Sequence, residues 1–553
     1  MCDCNFFCRI LCTIILIIAF LFNTIGGWIG VGDIIPTDKC PLNCGCETTT
    51  AEETTEPSTQ VSGEYTTAPT SSQVTESTTN NITEPESTAP TTSDTTTTTT
   101  QITTTTTTTK PTTSESGPHM QSAEELAMTL FGGNSNDIIR GVDAVSGGGY
   151  VACGTTSSID GDLAGLYEND WLGPFSFVVK FSKAATIDWL VTFGSNSGSV
   201  TLEDIAVLSN GNIVVVGNSK AYEYSTTPDA DASELTTEAI TITLSAENGK
   251  VISQKSFGGT GTDLFNCVST TSTGYVVGGK SDSTDGDFEG LPGSSAIILN
   301  LDNSGNVYWK RYLSGSKGGS VEGIDVDDDN NIYFTCFTSS TDGDFAVFED
   351  LMGGYTDTVV IKYDYKGDFL WSYVIATSGR DEFAAVTEDG RGGCVVGGQY
   401  ENISGSATID GTLTGTHNCG GIDALLFRID KDGDIMWKKI LSGFYDDYIT
   451  DVAKIEGGFV VTGYTTSANR EFASIGNKGG YDSFVTFLSK TGTTVKTATH
   501  SGSKDDIAAG VAASDNGEAL IVGRTKSSDE TFADKNTYNM FTAYVVRFKV
   551  TSV

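Results

Sequence analysis

The sequence predicts an all-β protein whose folded part, residues 125–553, is a seven-bladed β-propeller with four-stranded blades. Three observations predict it: a short pattern recurs seven times between Phe131 and the C-terminus, each copy contains four short apolar runs, and the strand that the last copy lacks is found ahead of the first. A repeat of this size indicates an architecture in which one unit cannot bury its faces alone.

Each copy of the repeat begins with a turn of small residues, such as Phe131-Gly132-Gly133 in the first copy and Leu441-Ser442-Gly443 in the sixth. The turns recur at intervals of 56 to 64 residues, which predicts seven equivalent units. They start at Phe131, Phe193, Phe257, Leu313, Thr377, Leu441 and His500.

Four short runs rich in Val, Ile, Tyr and Phe follow each turn, and Gly, Asn and Asp separate them. In the third copy the runs are residues 264–269, 275–279, 296–301 and 307–313. Their length and composition favour strands. Tight-turn sequences such as Asn303-Ser304-Gly305-Asn306 join the last two runs. Four strands in each of seven units are typical of a β-propeller.

The ends of the repeat array predict how the ring closes. The last copy finishes at Val553 after its third strand, residues 543–549, and has no fourth. Residues 126–131, ahead of the first turn, supply the missing strand. We therefore predict that this N-terminal strand completes the last blade and removes the exposed sheet edges.

Ahead of the propeller the sequence predicts a transmembrane helix. Residues 10–31 are almost wholly apolar, carry no charge and, at 22 residues, are long enough to cross a bilayer. Arg9 favours an inside N-terminus. Residues 1–9 are thus predicted to be a short cytoplasmic tail, and residues 32–47 a Cys-containing juxtamembrane segment. A cleavable signal peptide is the alternative interpretation of the apolar run.

A Thr-rich segment, residues 48–118, separates the predicted membrane helix from the propeller. It contains Thr runs at 95–100 and 103–109 together with Ser, Pro and Glu. Such a composition cannot form a core, and outside a cell it is typical of O-glycosylated stalks. A bare disordered linker is the alternative. This order of segments predicts a single-pass protein of the cell membrane whose propeller is extracellular.

The charge balance excludes one class of partner. The chain has a formal net charge of −39 and a pI near 4.2. Such a surface repels nucleic acid and anionic membranes, so we expect no nucleic-acid partner. It suits divalent cations or basic partners, and solubility alone is the alternative explanation.

Acidic residues recur in the loops that enter the innermost strands. In a propeller these strands line a central channel, so ring symmetry would place the carboxylates around one mouth of it. We predict ligand binding by Asp137, Asp263, Asp381, Asp447 and Asp506, with Asp204 and Glu322 as the copies in the second and fourth units. The alternative is that a residue needed in every blade serves the fold.

A second acidic set lies between the second and third strands of several units. Paired carboxylates around a Gly turn are hard oxygen ligands at a spacing that calcium loops use. Calcium is thus the one cofactor that the sequence suggests, while turn formation alone is the alternative. The candidate ligands are Asp160, Asp162, Asp285, Asp287, Asp342 and Asp344.

Aromatic residues divide into those that recur and those that do not. Trp189, Trp309, Trp371 and Trp437 share one repeat position, which predicts packing between blades. Trp171 and Tyr167 lie in a long loop of the first unit and do not recur. Non-repeating loop aromatics are better ligand-binding candidates, although folding onto their own blade is the alternative.

Several segments resemble bacterial SBBP-type propeller repeats. They include residues 357–364 (DTVVIKYD), residues 423–430 (DALLFRID), the turns before Trp309 and Trp437, and residues 335–345 (TCFTSSTDGDF). The resemblance covers residues 126–553 and implies a secreted or surface-exposed seven-bladed propeller, without a defined reaction. The second unit departs from it, because residues 219–238 replace the Asp-Gly-Asp loop.

The leading functional hypothesis is a membrane-anchored surface protein that displays a propeller on a stalk for adhesion or for binding an extracellular glycan or protein. The three histidines lack the context of a nucleophile, so we expect no enzyme. Two alternatives stay open: an extracellular polysaccharide-degrading enzyme that uses channel-mouth carboxylates, and a structural surface-coat protein.

Overall fold

The computed structural model describes residues 117–166, 174–194, 198–221, 236–352, 355–401, 421–514, 516–533 and 540–553. Their regular structure is strands joined by tight turns and short 3₁₀ turns. The predicted tail, transmembrane helix, juxtamembrane segment and most of the stalk lie outside these residues. Among the residues described, no helix is long and apolar enough to cross a membrane.

The strands fall into seven sets of four in chain order, with the first strand belonging to the last set. Blades 1 and 2 contain β2 (Asp137–Ala144), β3 (Tyr150–Thr156), β4 (Phe175–Phe181), β5 (Ile187–Phe193), β6 (Gly198–Val207), β7 (Ile213–Ala221), β8 (Thr237–Leu244) and β9 (Val251–Phe257). Blades 3 and 4 contain β10 (Asp263–Thr270), β11 (Gly274–Ser281), β12 (Ser295–Asp302), β13 (Val307–Ser314), β14 (Ser320–Val326), β15 (Ile332–Thr338), β16 (Asp357–Tyr363) and β17 (Phe369–Ile375). Blades 5 and 6 contain β18 (Asp381–Glu388), β19 (Cys394–Glu401), β20 (Ile422–Ile429), β21 (Ile435–Ile440), β22 (Asp447–Ile455), β23 (Gly458–Thr465), β24 (Asp482–Ser489) and β25 (Thr494–His500). Blade 7 contains β26 (Asp506–Ala513), β27 (Glu518–Thr525), β28 (Thr542–Ser552) and β1 (Met120–Phe131).

Each blade is a four-stranded antiparallel sheet in which neighbouring strands are consecutive in the chain, except that β1 pairs with β28. Phe131 lies opposite Ala543, and the ladder continues to Met120 opposite Ser552. The predictions of seven four-stranded blades and of closure by the N-terminal strand are confirmed. β1 starts earlier than predicted, because an outermost strand needs to bury only one face, here through Met120 and Ala123.

The hydrophobic core consists of clusters that lie mostly between adjacent blades, such as one that joins Phe131 of β1, Phe177 of β4 and Ala512 of β26. The recurring tryptophans lie at these boundaries, as predicted. Each indole N–H donates to a backbone carbonyl of the next blade, as from Trp309 to Tyr365 at 3.1 Å and from Trp437 to Lys490 at 3.0 Å. Cys153, Cys267, Cys336 and Cys394 are buried free thiols.

All seven innermost strands carry a register irregularity at the same place. In β2 it lies between Ile139 and Gly141, and in β22 between Ile449 and Asp451. A bulge inserts one residue and re-aims the side chains beside it. Residues next to the bulge, including Glu203, Glu322 and Thr450, therefore line the central channel.

In blades 1, 3 and 4 the loop between the second and third strands contains a 3₁₀ turn whose first residue has positive φ: +63° at Gly161 and Gly286 and +60° at Gly343. The sixth and seventh blades keep this turn with Arg470 (φ 51°) and Glu530 (φ 52°) at the glycine position. The turn geometry thus persists where the Asp-Gly-Asp sequence does not.

Substituting Gly286 separates the two reasons for glycine in this turn. A Cβ at Gly286 would overlap the carbonyl oxygen of Gly258, whereas Gly290, also at positive φ (+89°), faces open space. Backbone strain costs both alanine variants about 1–2 kcal/mol, and the clash should add about 1–3 kcal/mol to Gly286→Ala alone. Denaturant unfolding of the two variants measures the difference. Equal losses would show that the contact with Gly258 is unimportant.

Candidate functional site

The central channel is bounded by all seven innermost strands. Its described walls enclose one section of about 320 Å³, lined by residues from the second halves of these strands. A second section of about 190 Å³ surrounds the bulges. We call the face onto which the loops entering the innermost strands open the top face, and the opposite face the bottom face.

Four aspartates on the channel wall, which we call the channel aspartates, join neighbouring blades. They are Asp143, Asp204, Asp325 and Asp451. Each accepts the N–H of the residue that follows it and a second N–H from the next blade. The inter-blade donors are Val207, Val268, Glu388 and Val511, at 2.7 to 2.9 Å. Asp325 also accepts hydrogen bonds from Ser269 and Thr387, so that it connects three blades.

The channel aspartates face water in the channel but lie deep inside the ring, so desolvation dominates their titration. Burial raises the pKa of Asp143 to about 6 and those of Asp204 and Asp451 to about 7, while the N–H donors oppose the shift. The carboxylates also repel one another across the channel, because Asp143 and Asp451 each raise the pKa of Asp204.

The five aspartates predicted at the channel mouth are instead fully buried. Asp137 accepts hydrogen bonds from Thr156 and Ser158 at 2.6 and 2.9 Å and from the Gly133 N–H at 2.8 Å. Asp263, Asp447 and Asp506 repeat this arrangement, and Asp381 accepts from Thr377. In these five blades the aspartate ties the turn that starts the repeat to the innermost strand. Their ligand-binding role stays a prediction, which this burial does not favour.

Two residues grouped with that set lie elsewhere in the ring. Asp204 and Glu322 flank the bulges of β6 and β14 on the channel wall. The positions equivalent to Asp137 are Val200 in blade 2 and Gly319 in blade 4. The two registers differ by several residues along the strand. Spacing from the start of the turn reflects this difference: it is 11 residues for Asp204 and 9 for Glu322, against 4 to 6 for the five buried aspartates.

Buried carboxyl groups also meet in pairs across blade boundaries. The pairs are Asp357 with Asp381, Asp423 with Asp447, and Asp482 with Asp506, and all six residues are fully buried. Burial first, and then the partner's charge, raises the pKa of Asp447 to about 7 and that of Asp506 to about 6. The pKa of Asp381 is raised for the same reasons.

The residues predicted to bind calcium brace the repeat turns. Asp160, Asp285 and Asp342 accept the N–H groups of Asn134, Thr260 and Ser316, each at 2.7 Å. Asp162, Asp287 and Asp344 accept those of Gly132, Gly258 and Ser314, at 2.8 to 3.2 Å. Within the described ranges, no group of three or more acidic, His or Cys residues is placed to hold a metal ion. Calcium binding at these loops stays a prediction.

Three tyrosines form a cluster on the top face of blade 6, which we call the aromatic patch. Tyr448 of β22 and Tyr464 of β23 stack with ring centroids 4.6 Å apart. The ring of Tyr481, which precedes β24, stands edge-on to Tyr464 at 5.1 Å. All three are partly exposed. Phe444 and Tyr445, in the loop entering β22 of the same blade, are 54% and 62% exposed.

Polar groups of the neighbouring blades flank the aromatic patch. On the blade 5 side, Glu382 pairs with Arg380 at 3.3 Å and accepts a hydrogen bond from Gln399. On the blade 7 side, Arg524 lies with its guanidinium carbon 5.0 Å from the Phe541 ring centroid. Burial raises the pKa of Tyr448, and the charge of Glu382 adds to this after Asp446 and the two other tyrosines.

The sequence reasoning missed the aromatic patch. The signal in the sequence was Tyr448, an aromatic residue in the second position of the innermost strand of blade 6. At the equivalent position the other blades have Ile138, Thr201, Leu264, Ser320, Glu382 and Ile507. The predicted ligand-binding residues Tyr167 and Trp171 lie outside the described residues.

The chain reaches the propeller on the face opposite the aromatic patch. The Met120 N–H donates to the Gly457 carbonyl, in the β22–β23 hairpin at the bottom face. A cavity of about 570 Å³ lies beside it, between Pro118 and the loops of blades 5 to 7. The segment preceding β1 therefore joins the bottom face.

No protein-family model matches this chain, and no curated protein does. Among solved structures it is similar to BamB from Moraxella catarrhalis (12% identity, TM-score 0.35), a protein of unknown function from Dyadobacter fermentans (10%, 0.39) and Sqt1 from Chaetomium thermophilum (11%, 0.38). Each alignment covers 78% of this chain and 99% of the other. Similarities this distant carry no argument about function.

The raised pKa values predict how stability depends on pH. Such a carboxyl group has a higher pKa in the folded protein than in the unfolded chain, where it is near 4. Its contribution to stability is complete at pH values below the unfolded pKa and is lost as the pH rises through the folded pKa. We therefore expect a larger free energy of unfolding at pH 5 than at pH 8, measured by denaturant titration.

Substitutions at the channel aspartates test the origin of this dependence. The double variant Asp204→Asn/Asp451→Asn should show a shallower change between pH 5 and pH 8, because it removes two groups with a pKa of about 7. Asp188→Asn, at an exposed position of β5, is the control. A slope unaltered in the double variant would contradict the assignment.

A substitution in the Asp-Gly-Asp loops distinguishes bracing from metal binding. Asp285→Ala removes the acceptor of the Thr260 N–H and should lower stability by about 1–2 kcal/mol. If bracing is its role, the loss is the same in excess calcium and in EDTA. A loss found only with calcium would instead identify Asp285 as a metal ligand.

Proposed function

We propose that this protein is a cell-surface binding or adhesion module whose propeller recognises an extracellular glycan or protein through the aromatic patch. The observation that carries the proposal is the stacked tyrosine cluster, formed in blade 6 beside the channel mouth. Clustered, partly exposed aromatic rings supply large contact area at little cost in side-chain entropy.

The geometry of attachment supports a display role. The preceding segment joins the bottom face at Met120, and the aromatic patch lies on the top face. A chain anchored in a membrane through residues 10–31 and extended by a Thr-rich stalk would present the patch away from that membrane. The single-pass anchor, the glycosylated stalk and calcium at the loops are parts of this proposal.

The surroundings of the patch favour a glycan as the ligand. The apolar faces of sugar rings pack against aromatic rings, and their hydroxyl groups need hydrogen-bonding partners. Glu382 and Gln399 supply an acceptor and a donor beside the rings. Sites of this kind combine apolar walls with a few well-placed polar groups.

Truncating a ring tests the proposal. The full chain should bind members of a panel of glycans and matrix proteins, and Tyr464→Ala should weaken that binding at least about tenfold, as expected for a central aromatic contact. Tyr308→Ala is the matched control, because Tyr308 is 59% exposed but lies on the outer strand β13.

Two results would contradict the proposed function. One is the absence of binding to every member of the panel. The other is equal binding by wild type and Tyr464→Ala, with circular dichroism and melting temperature showing that both are folded.

A further inference from the structure

One arginine at the top face, Arg524, differs from the cations around it in a protein with a net charge of −39. Nearby cations have acidic partners: Arg140 pairs with Glu203 at 3.0 Å, Arg380 with Glu382 at 3.3 Å, and Lys526 with Asp505 at 3.1 Å. Arg524 has no ion pair in the part of the chain that the structure describes, and its Nε has no hydrogen-bond acceptor there.

Arg524 occupies the position in blade 7 that Tyr464 occupies in blade 6. Arg524 lies opposite Ile507 of β26, as Tyr464 lies opposite Tyr448 of β22. Phe541 corresponds to Tyr481, because each offers its carbonyl to the first N–H of the next innermost strand, Asp137 and Asp506 respectively. Arg524 and Tyr464 of the aromatic patch therefore lie on the top face, at equivalent positions of two successive blades.

Two further facts describe the environment of the guanidinium. Its carbon lies 5.0 Å from the Phe541 ring centroid, which holds the plane near an aromatic surface. Burial lowers the pKa of Arg524, but an arginine stays protonated at neutral pH. Burial and the neighbouring Tyr481 raise the pKa of Tyr464, and the charge of Arg524 opposes this shift.

We infer that the ligand is an oligosaccharide carrying an acidic group, a carboxylate or a sulfate, which Arg524 binds while the aromatic patch holds a sugar ring. This inference rests on the proposed function and names its ligand class. A guanidinium binds such oxyanions through paired N–H donors. The acidic protein surface repels extended polyanions, so the ligand is an oligosaccharide with one acidic group.

The test measures the affinity of the full chain for three oligosaccharides of equal length, one with a terminal carboxylate, one with a terminal sulfate and one neutral. Wild type should bind an acidic member at least tenfold more tightly than the neutral one, and the tighter of the two acidic members identifies the acidic group. Arg524→Gln should abolish that preference and leave neutral binding unchanged. Arg524→Lys, which keeps the charge, should retain part of it.

The matched control is Arg311→Gln. Arg311 also stacks on an aromatic ring, Trp309, at 5.3 Å, but it lies on the outer strand β13. Melting temperatures confirm that the variants are folded. Unchanged acidic preference in Arg524→Gln overturns the inference. If Tyr464→Ala still weakens binding in that case, the proposed function stands. If no oligosaccharide binds wild type, the inference is overturned, while binding of a protein from the panel would still support the proposed function.

Discussion

Ring closure is the constraint on which the rest of this structure depends. No blade buries both of its faces alone, because the core clusters lie mostly between neighbours and combine residues from adjacent sheets. The pairing of β1 with β28 turns an open array into a closed one, so that blades 7 and 1 gain the same support as the others. The channel exists only in the closed ring, since it is assembled from all seven blades, whereas the three rings of the aromatic patch belong to blade 6.

Acidic side chains perform much of the joining. The channel aspartates accept N–H groups across blade boundaries, and the buried aspartates at the start of the innermost strands hold the repeat turns. A carboxylate can accept several hydrogen bonds at once, which suits a position where three segments meet. The cost is desolvation, which the raised pKa values record. Part of the large negative charge is thus a component of the fold and does not only provide solubility.

The sequence predicts the propeller well because turns, strand lengths and closure are local or countable properties. The aspartates illustrate how such reasoning depends on register: Asp137 and Asp204 follow similar turns, but at 6 and 11 residues from the start of the turn. One is therefore buried inside its sheet and the other lines the channel. Tyr448, Tyr464 and Tyr481 look like ordinary strand residues in isolation. They become a surface only when pairing sets Tyr448 opposite Tyr464 and the next loop returns Tyr481 beside them.

The closing strand has a mechanical consequence. β1 enters at the bottom face and runs to the top face. It pairs with the antiparallel strand β28 along its length, from Met120 to Phe131. A pull between the top face and the residues that precede β1 would act along this strand. Its hydrogen bonds would then be loaded together in shear, instead of being opened one after another. The element that closes the ring is therefore oriented to resist tension between the bottom and the top face.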